Sequence, residues 1–123
     1  MQYRSVFRPG AFEGQRIIVT GGGSGIGRCT AHELASLGAF VALVGRNREK
    51  LSAVAAEISE AGYRSPTLHV CDIREEKQVN ATIADVLSAG APVHGLVNNA
   101  GGQFPAPLMA ISKKGWEIGR AHV

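Results

Sequence analysis

Apolar residues in this chain fall into short unbroken runs separated by stretches of helical spacing. Four runs stand out, "QRIIVT" (15–20), "FVALVG" (40–45), "TLHVCDI" (67–73) and "VHGLVNNA" (93–100), the first of them rich in β-branched residues and ending in a glycine cluster. That pattern predicts four buried strands. Between them, Ile26, Thr30, Leu34 and Leu37 are spaced for one face of a helix that Gly38 stops. Leu51, Val54, Ala55 and Ile58 mark a second helix ending at Gly62, and Val79, Ile83 and Val86 a third ending before Gly90. Asp72, with Glu75 three residues later, has the form of a capping box opening the third helix. Residues 1–14, with Pro9, Gly10 and Gly14, read as an irregular arm.

Strands alternating with helices imply βαβ units, hence an α/β fold with a parallel sheet and right-handed crossovers. The strands are apolar throughout rather than alternating, so both sheet faces are expected to be covered. One domain is the natural reading of 123 residues that are 45% hydrophobic and 19% charged. The formal charge of +3 is mild, and basic residues are interspersed with acidic ones, which disfavours nucleic acid as a partner. No apolar run approaches the roughly 20 residues of a membrane span, and "MQYRSVFRPG" lacks the apolar core of a signal peptide. No membrane partner and a cytoplasmic location are therefore expected. Cys29 and Cys71 have no CxxC spacing and are expected to be buried structural thiols. His32, His69, His94 and His122 have no metal spacing, so no metal site is expected.

The sixteen glycines change the picture, because they gather at the junctions between elements. "TGGGSGIG" (20–27) joins the first strand to the first helix. Gly21, Gly22, Gly23, Ser24, Gly25, Ile26 and Gly27 would then bring backbone N–H groups and the helix dipole to bear on one point, as a pyrophosphate requires. The spacing Gly-x-x-x-Gly-x-Gly only approximates the common dinucleotide fingerprint, and as a bare string it could equally be a loop with no ligand. Its place between a strand and an amphipathic helix favours a dinucleotide. At the end of the second strand, where a carboxylate would accept bonds from a ribose 2′-OH, stand Gly45 and Arg46. A guanidinium there favours NADP(H) as cofactor. Arg48 could assist, both arginines could instead belong to a solvated helix start, and Arg28 could serve either role.

Taken together these residues resemble the short-chain dehydrogenase/reductase family over Phe12 to Trp116. Residues 20–27 resemble its cofactor motif, Asp72 the aspartate bordering the adenine, and Asn98-Asn99-Ala100-Gly101 its "NNAG" motif. The resemblance implies a Rossmann-type doubly wound sheet, here in its N-terminal half with strand order 3-2-1-4. It also implies that Ile73 packs near the adenine and that the backbone of Asn98, Ala100 and Gly101 lines the ribose.

Within the family, residues 98–116 look most like the peroxisomal trans-2-enoyl-CoA and 2,4-dienoyl-CoA reductases and their bacterial relatives. An acyl-CoA or carbonyl compound is thus the implied small-molecule substrate, with Gln103 and Phe104 at the mouth of its site. Such enzymes often form homotetramers. The family's catalytic Ser and Tyr-x-x-x-Lys have no counterpart here, since neither Tyr3 nor Tyr63 has Lys four residues on. No catalytic residue is therefore assigned. Ser112 is expected to cap a further helix beginning at Lys113 and Lys114.

The expected organisation is an arm (1–14), an NADP(H)-binding half-domain (15–116) and a tail (117–123). "EIGRAHV" is the translation of GAG ATC GGA AGA GCA CAC GTC, which resembles a sequencing-adapter string whose next triplet is a stop, so the tail is expected to be non-native. Without a fifth strand, the fourth would form an apolar edge. The functional expectation is the NADP(H)-binding portion of an oxidoreductase. The alternatives are a non-catalytic dinucleotide-binding module or a truncated product without function.

Overall fold

The structure, a computed structural model, describes residues 4–101, 107–110 and 112–114. Strand β1 spans Arg16–Thr20, helix α1 Gly25–Ser36, β2 Phe40–Gly45, α2 Arg48–Glu60, β3 Thr67–Val70, α3 Glu76–Leu87 and β4 Gly95–Val97. A 3-10 turn follows at Leu108–Ala110. The strands form one parallel sheet, as the alternation of strand and helix anticipates, in the order β3-β2-β1-β4 that the family resemblance implies. Ile17 lies opposite Val41 on one side and Gly95 on the other, and Val19 opposite Leu43 and Val97.

Successive side chains of a strand point to opposite faces, and the core divides accordingly. Ile17, Val19, Val41 and Leu43 pack with Ala31, Leu34 and Ala35 of α1 and with Leu51, Val54 and Ile58 of α2. Ile18, Ala42 and Val44 face the other way, onto Cys71 and Val86. Val19, Leu43 and Ile58 have no exposed surface at all, and each such side chain contributes roughly 1.5–3 kcal/mol by leaving water. Coverage of both faces thus holds for β1 and β2. It weakens at the edges, where Val70 of β3 is 44% and Leu96 of β4 47% exposed.

Several elements depart from the sequence reading for identifiable reasons. Ile26 is 77% exposed, because the inward stripe of α1 is Gly27, Ala31, Leu34 and Ala35, one residue out of phase with the expected Ile26–Thr30 row. Cys29 is exposed and Cys71 buried, so the expectation of two buried thiols holds for one. β3 ends at Val70 because β2 ends at Gly45, whose carbonyl accepts the Cys71 N–H (2.9 Å) and leaves no ladder beyond. β4 ends at Val97 because the next N–H groups turn to the Thr20 side chain. The N-cap of α3 is Glu75, with no side-chain bond, so Asp72 does not open a capping box.

The arm has no helix or strand where it is described, and contacts at Phe12 and Ser5 tie it to the rest of the chain. Phe12 packs on the first core cluster, its N–H donating to the Leu37 carbonyl (3.0 Å) at the end of α1. Ser5 donates to the carboxylate of Glu33.

Candidate functional site

At the carboxyl end of β1 the chain turns through the glycine loop into α1. Gly21 sits at φ 65°, in the left-handed region that side chains disfavour. Gly27 lies so close beneath the loop that a Cβ there would stand 2.1 Å from the Gly21 carbonyl oxygen, so any larger residue would drive α1 away from β1. Ser24 is the N-cap in an extended conformation and makes no side-chain capping bond, and the first turn of α1 carries no acidic residue. The first N–H groups and the positive end of the dipole therefore remain to be satisfied by a ligand or by water. A Cβ on Gly25 would meet nothing within 4 Å, so the backbone there is open to close approach.

The loop is locked to the end of β4 by residues outside the candidate set. Thr20, 8% exposed, donates from Oγ1 to the Val97 carbonyl (3.2 Å) and accepts the N–H groups of Asn99 and Ala100 (3.0 Å each). Asn99 Nδ2 donates to the carbonyls of Thr20 (3.2 Å) and Gly21 (3.3 Å). The clamp spans the point where the sheet order reverses between β1 and β4, the usual ligand crevice of such sheets. The motif signalled Asn99, but only its partners reveal that the side chain holds the loop while Asn98 is exposed.

A cleft of about 380 Å³ opens between the ends of the four strands. Of the candidates it brings together Gly21, Gly23, Ser24, Arg46, Asp72, Ile73, Ala100 and Gly101. Gly22, Gly25, Ile26, Gly27 and Asn98 lie off its wall. Gly22 is buried against Leu43, with its N–H on the Val44 carbonyl (3.2 Å). Arg48 lines only an outer groove beside Arg46. Gln103 and Phe104 fall outside the described residues, as do Trp116 and the tail, whereas Ser112 does precede helical residues at 113 and 114.

Two cations of the cleft were not anticipated. Lys50 reaches it because Asn47 caps α2, its side chain accepting the Lys50 N–H at 3.1 Å. Arg74 reaches it because Asp72 forms an Asx-type turn, Oδ1 accepting the Arg74 N–H at 3.0 Å. The same carboxylate accepts Arg74 Nε (3.0 Å) and Nη2 (2.8 Å). These side-chain and backbone bonds from Arg74, with lesser help from the charge of Arg46, hold the Asp72 carboxyl well down, at a pKa of about 2. An i, i+2 Asp–Arg pair after a strand was the only sequence signal for this arrangement.

Arg28 is engaged elsewhere. Its Nε donates to Glu57 Oε1 (3.1 Å), and buried His32 meets Glu57 Oε2 (3.2 Å), so the three tie α1 to α2. The hydrogen bond from Arg28, opposed in part by desolvation, holds the Glu57 carboxyl below its usual range. Among the described residues no group of three or more His, Cys, Asp or Glu is placed to hold a metal, and no helix is long and apolar enough to cross a membrane.

The short chain dehydrogenase family model matches residues 15–118. A citronellol catabolism dehydrogenase of Pseudomonas aeruginosa superposes with a TM-score of 0.84 at 61% identity, over 94% of this chain and 46% of that one. A metagenomic short-chain oxidoreductase solved in complex with NADP gives a TM-score of 0.77 at 41% identity, over 87% of this chain and 48% of that one. A peroxisomal 2,4-dienoyl-CoA reductase of Danio rerio is 31% identical over 90% of this chain and 37% of its own length. This chain spans about two fifths of the length of the curated relatives it matches. With the strand order, the glycine loop and its clamp to β4 all in place, the chain belongs to the short chain dehydrogenase family.

Proposed function

We propose that this chain is the NADP(H)-binding portion of an oxidoreductase. The observation that carries the reading is the cleft itself. It has Ser24, the N-cap of α1 that makes no side-chain capping bond, at one side and the cations Arg46 and Lys50 at the other. The backbone N–H groups at the start of α1 would hold the pyrophosphate, with Ser24 donating from its hydroxyl. Arg46 would bind the 2′-phosphate, for which its planar fork of donors is well suited. Ile73 would cover one side of the adenine, and the backbone at Ala100 and Gly101 would border the ribose. The solved relative in complex with NADP supports the same choice of cofactor.

When bound, the nicotinamide supplies or accepts a hydride, and this chain's part is to hold and orient it. For the whole protein we propose hydride transfer involving an enoyl-CoA or carbonyl substrate. Relatives described by such different substrates as citronellol-pathway compounds and dienoyl-CoA esters support the reaction class more than either substrate. Titration of the purified chain with NADPH, followed by nicotinamide fluorescence, tests the reading. Saturable binding that weakens about tenfold or more in Arg46→Gln is expected, that being the ~1.4 kcal/mol lost with one charge-assisted pair. Equal binding by the variant would show that Arg46 is a solvated helix-start residue.

A further inference from the structure

The cleft wall carries four charged side chains, Arg46, Lys50, Arg74 and Asp72. Asp72 is the one anion among them, and a free carboxylate at that place would repel a phosphate ester. It is not free. Three hydrogen bonds from Arg74, at 3.0, 3.0 and 2.8 Å, occupy both its oxygens, and the Asp72 N–H donates to Gln78 Oε1 (2.8 Å), which fixes the turn. We infer that Arg74 is a selectivity residue for the 2′-phosphate that acts through Asp72, cancelling the cleft's single carboxylate charge so that Arg46 and Lys50 stand uncompensated.

This inference rests on the proposed NADP(H) site and adds to it a determinant on the turn after β3. Protonation cannot perform the cancellation, because the carboxyl stays ionised down to about pH 2. The bidentate fork can, since it places a fixed cation against both oxygens. Arg74 is itself 55% exposed against 22% for Asp72, so its removal leaves the core intact while exposing the carboxylate to the cleft. Selectivity between NADP⁺ and NAD⁺ then depends on Arg74 even where no contact with the phosphate is made. Like-charge opposition of this kind is an ordinary means of discrimination.

The pair makes a prediction with a sign that simple contact models lack. In calorimetric titrations of the chain with NADP⁺ and with NAD⁺, Arg74→Gln should lower the NADP⁺ preference about five- to tenfold, or ~1–1.4 kcal/mol. Asp72→Asn, which keeps the turn acceptor but not the charge, should hold or raise it. The double variant should return within about twofold of the original. Arg74→Gln weakening both ligands equally, a fall in preference for Asp72→Asn, or a double variant as poor as Arg74→Gln alone would each overturn the inference. If the unsubstituted chain shows no preference, or binds neither ligand, the cofactor reading itself fails and takes this one with it. Failure in the variants alone leaves that reading standing.

Discussion

At the scale of single residues, space and charge decide what the site can be. Gly27 has no room for a methyl group, so Gly27→Ala should move α1 off β1, costing about 1–3 kcal/mol in urea denaturation and most of the NADPH affinity. Unchanged binding in a folded Gly27→Ala chain would refute the idea that the loop's approach to the helix shapes the site. The spacing of the loop already divides the tasks of these glycines into a turn at Gly21, close approach of phosphate to the backbone at Gly25 and helix packing at Gly27. Gly21 turns the chain and Gly27 permits close packing, while Gly25 faces open space. Ile26, read as inward by spacing, faces out because the stripe begins at Gly27. Lys50 and Arg74 escaped notice because their reach depends on two local turns, one capped by Asn47 and the other by Asp72.

At the scale of elements, α1 and α2 share more than apolar packing. Glu57 of α2 accepts from Arg28 and meets His32 of α1, a cluster that no periodicity discloses, since charged side chains on two helices reveal partners only once the helices are docked. The Glu57 carboxyl is depressed in the folded chain, chiefly by the Arg28 bond. The linked stability is therefore present above the ordinary carboxylate range, around pH 4–5, and lost as pH falls through the lower folded value. Asp72 adds the same dependence down to about pH 2. Glu57→Gln should accordingly flatten the decline of thermal stability as pH falls below the ordinary carboxylate range, leaving the portion due to Asp72. A variant with the original acid profile would mean that the Arg28–Glu57 contact contributes nothing in solution. Strand lengths were legible where both neighbours persist, as at β2, and not where pairing stops, as after Gly45 and Val97.

At the scale of the whole molecule, the order β3-β2-β1-β4 puts the ends of β1 and β4 side by side, and the glycine loop with the Thr20–Asn99 clamp occupies that junction. The parallel sheet followed from the alternation of elements, and the order of its strands from the resemblance to a doubly wound family fold. The chain contains no Tyr-x-x-x-Lys, so the account predicts binding without chemistry. Crotonyl-CoA added to the chain with NADPH should cause no loss of absorbance from the nicotinamide, and measurable turnover would require a proton donor that this account does not assign. The central claim, that the cleft above the strand ends is a 2′-phosphorylated dinucleotide site, is tested most directly by a residue-resolved amide titration with 2′,5′-ADP, the adenosine end of the cofactor without its nicotinamide. The account predicts saturable shifts at Arg46, Asp72, Ile73 and the amides of 21–25, with 5′-AMP producing weaker ones; absence of shifts there, or equal response to the two nucleotides, would contradict it.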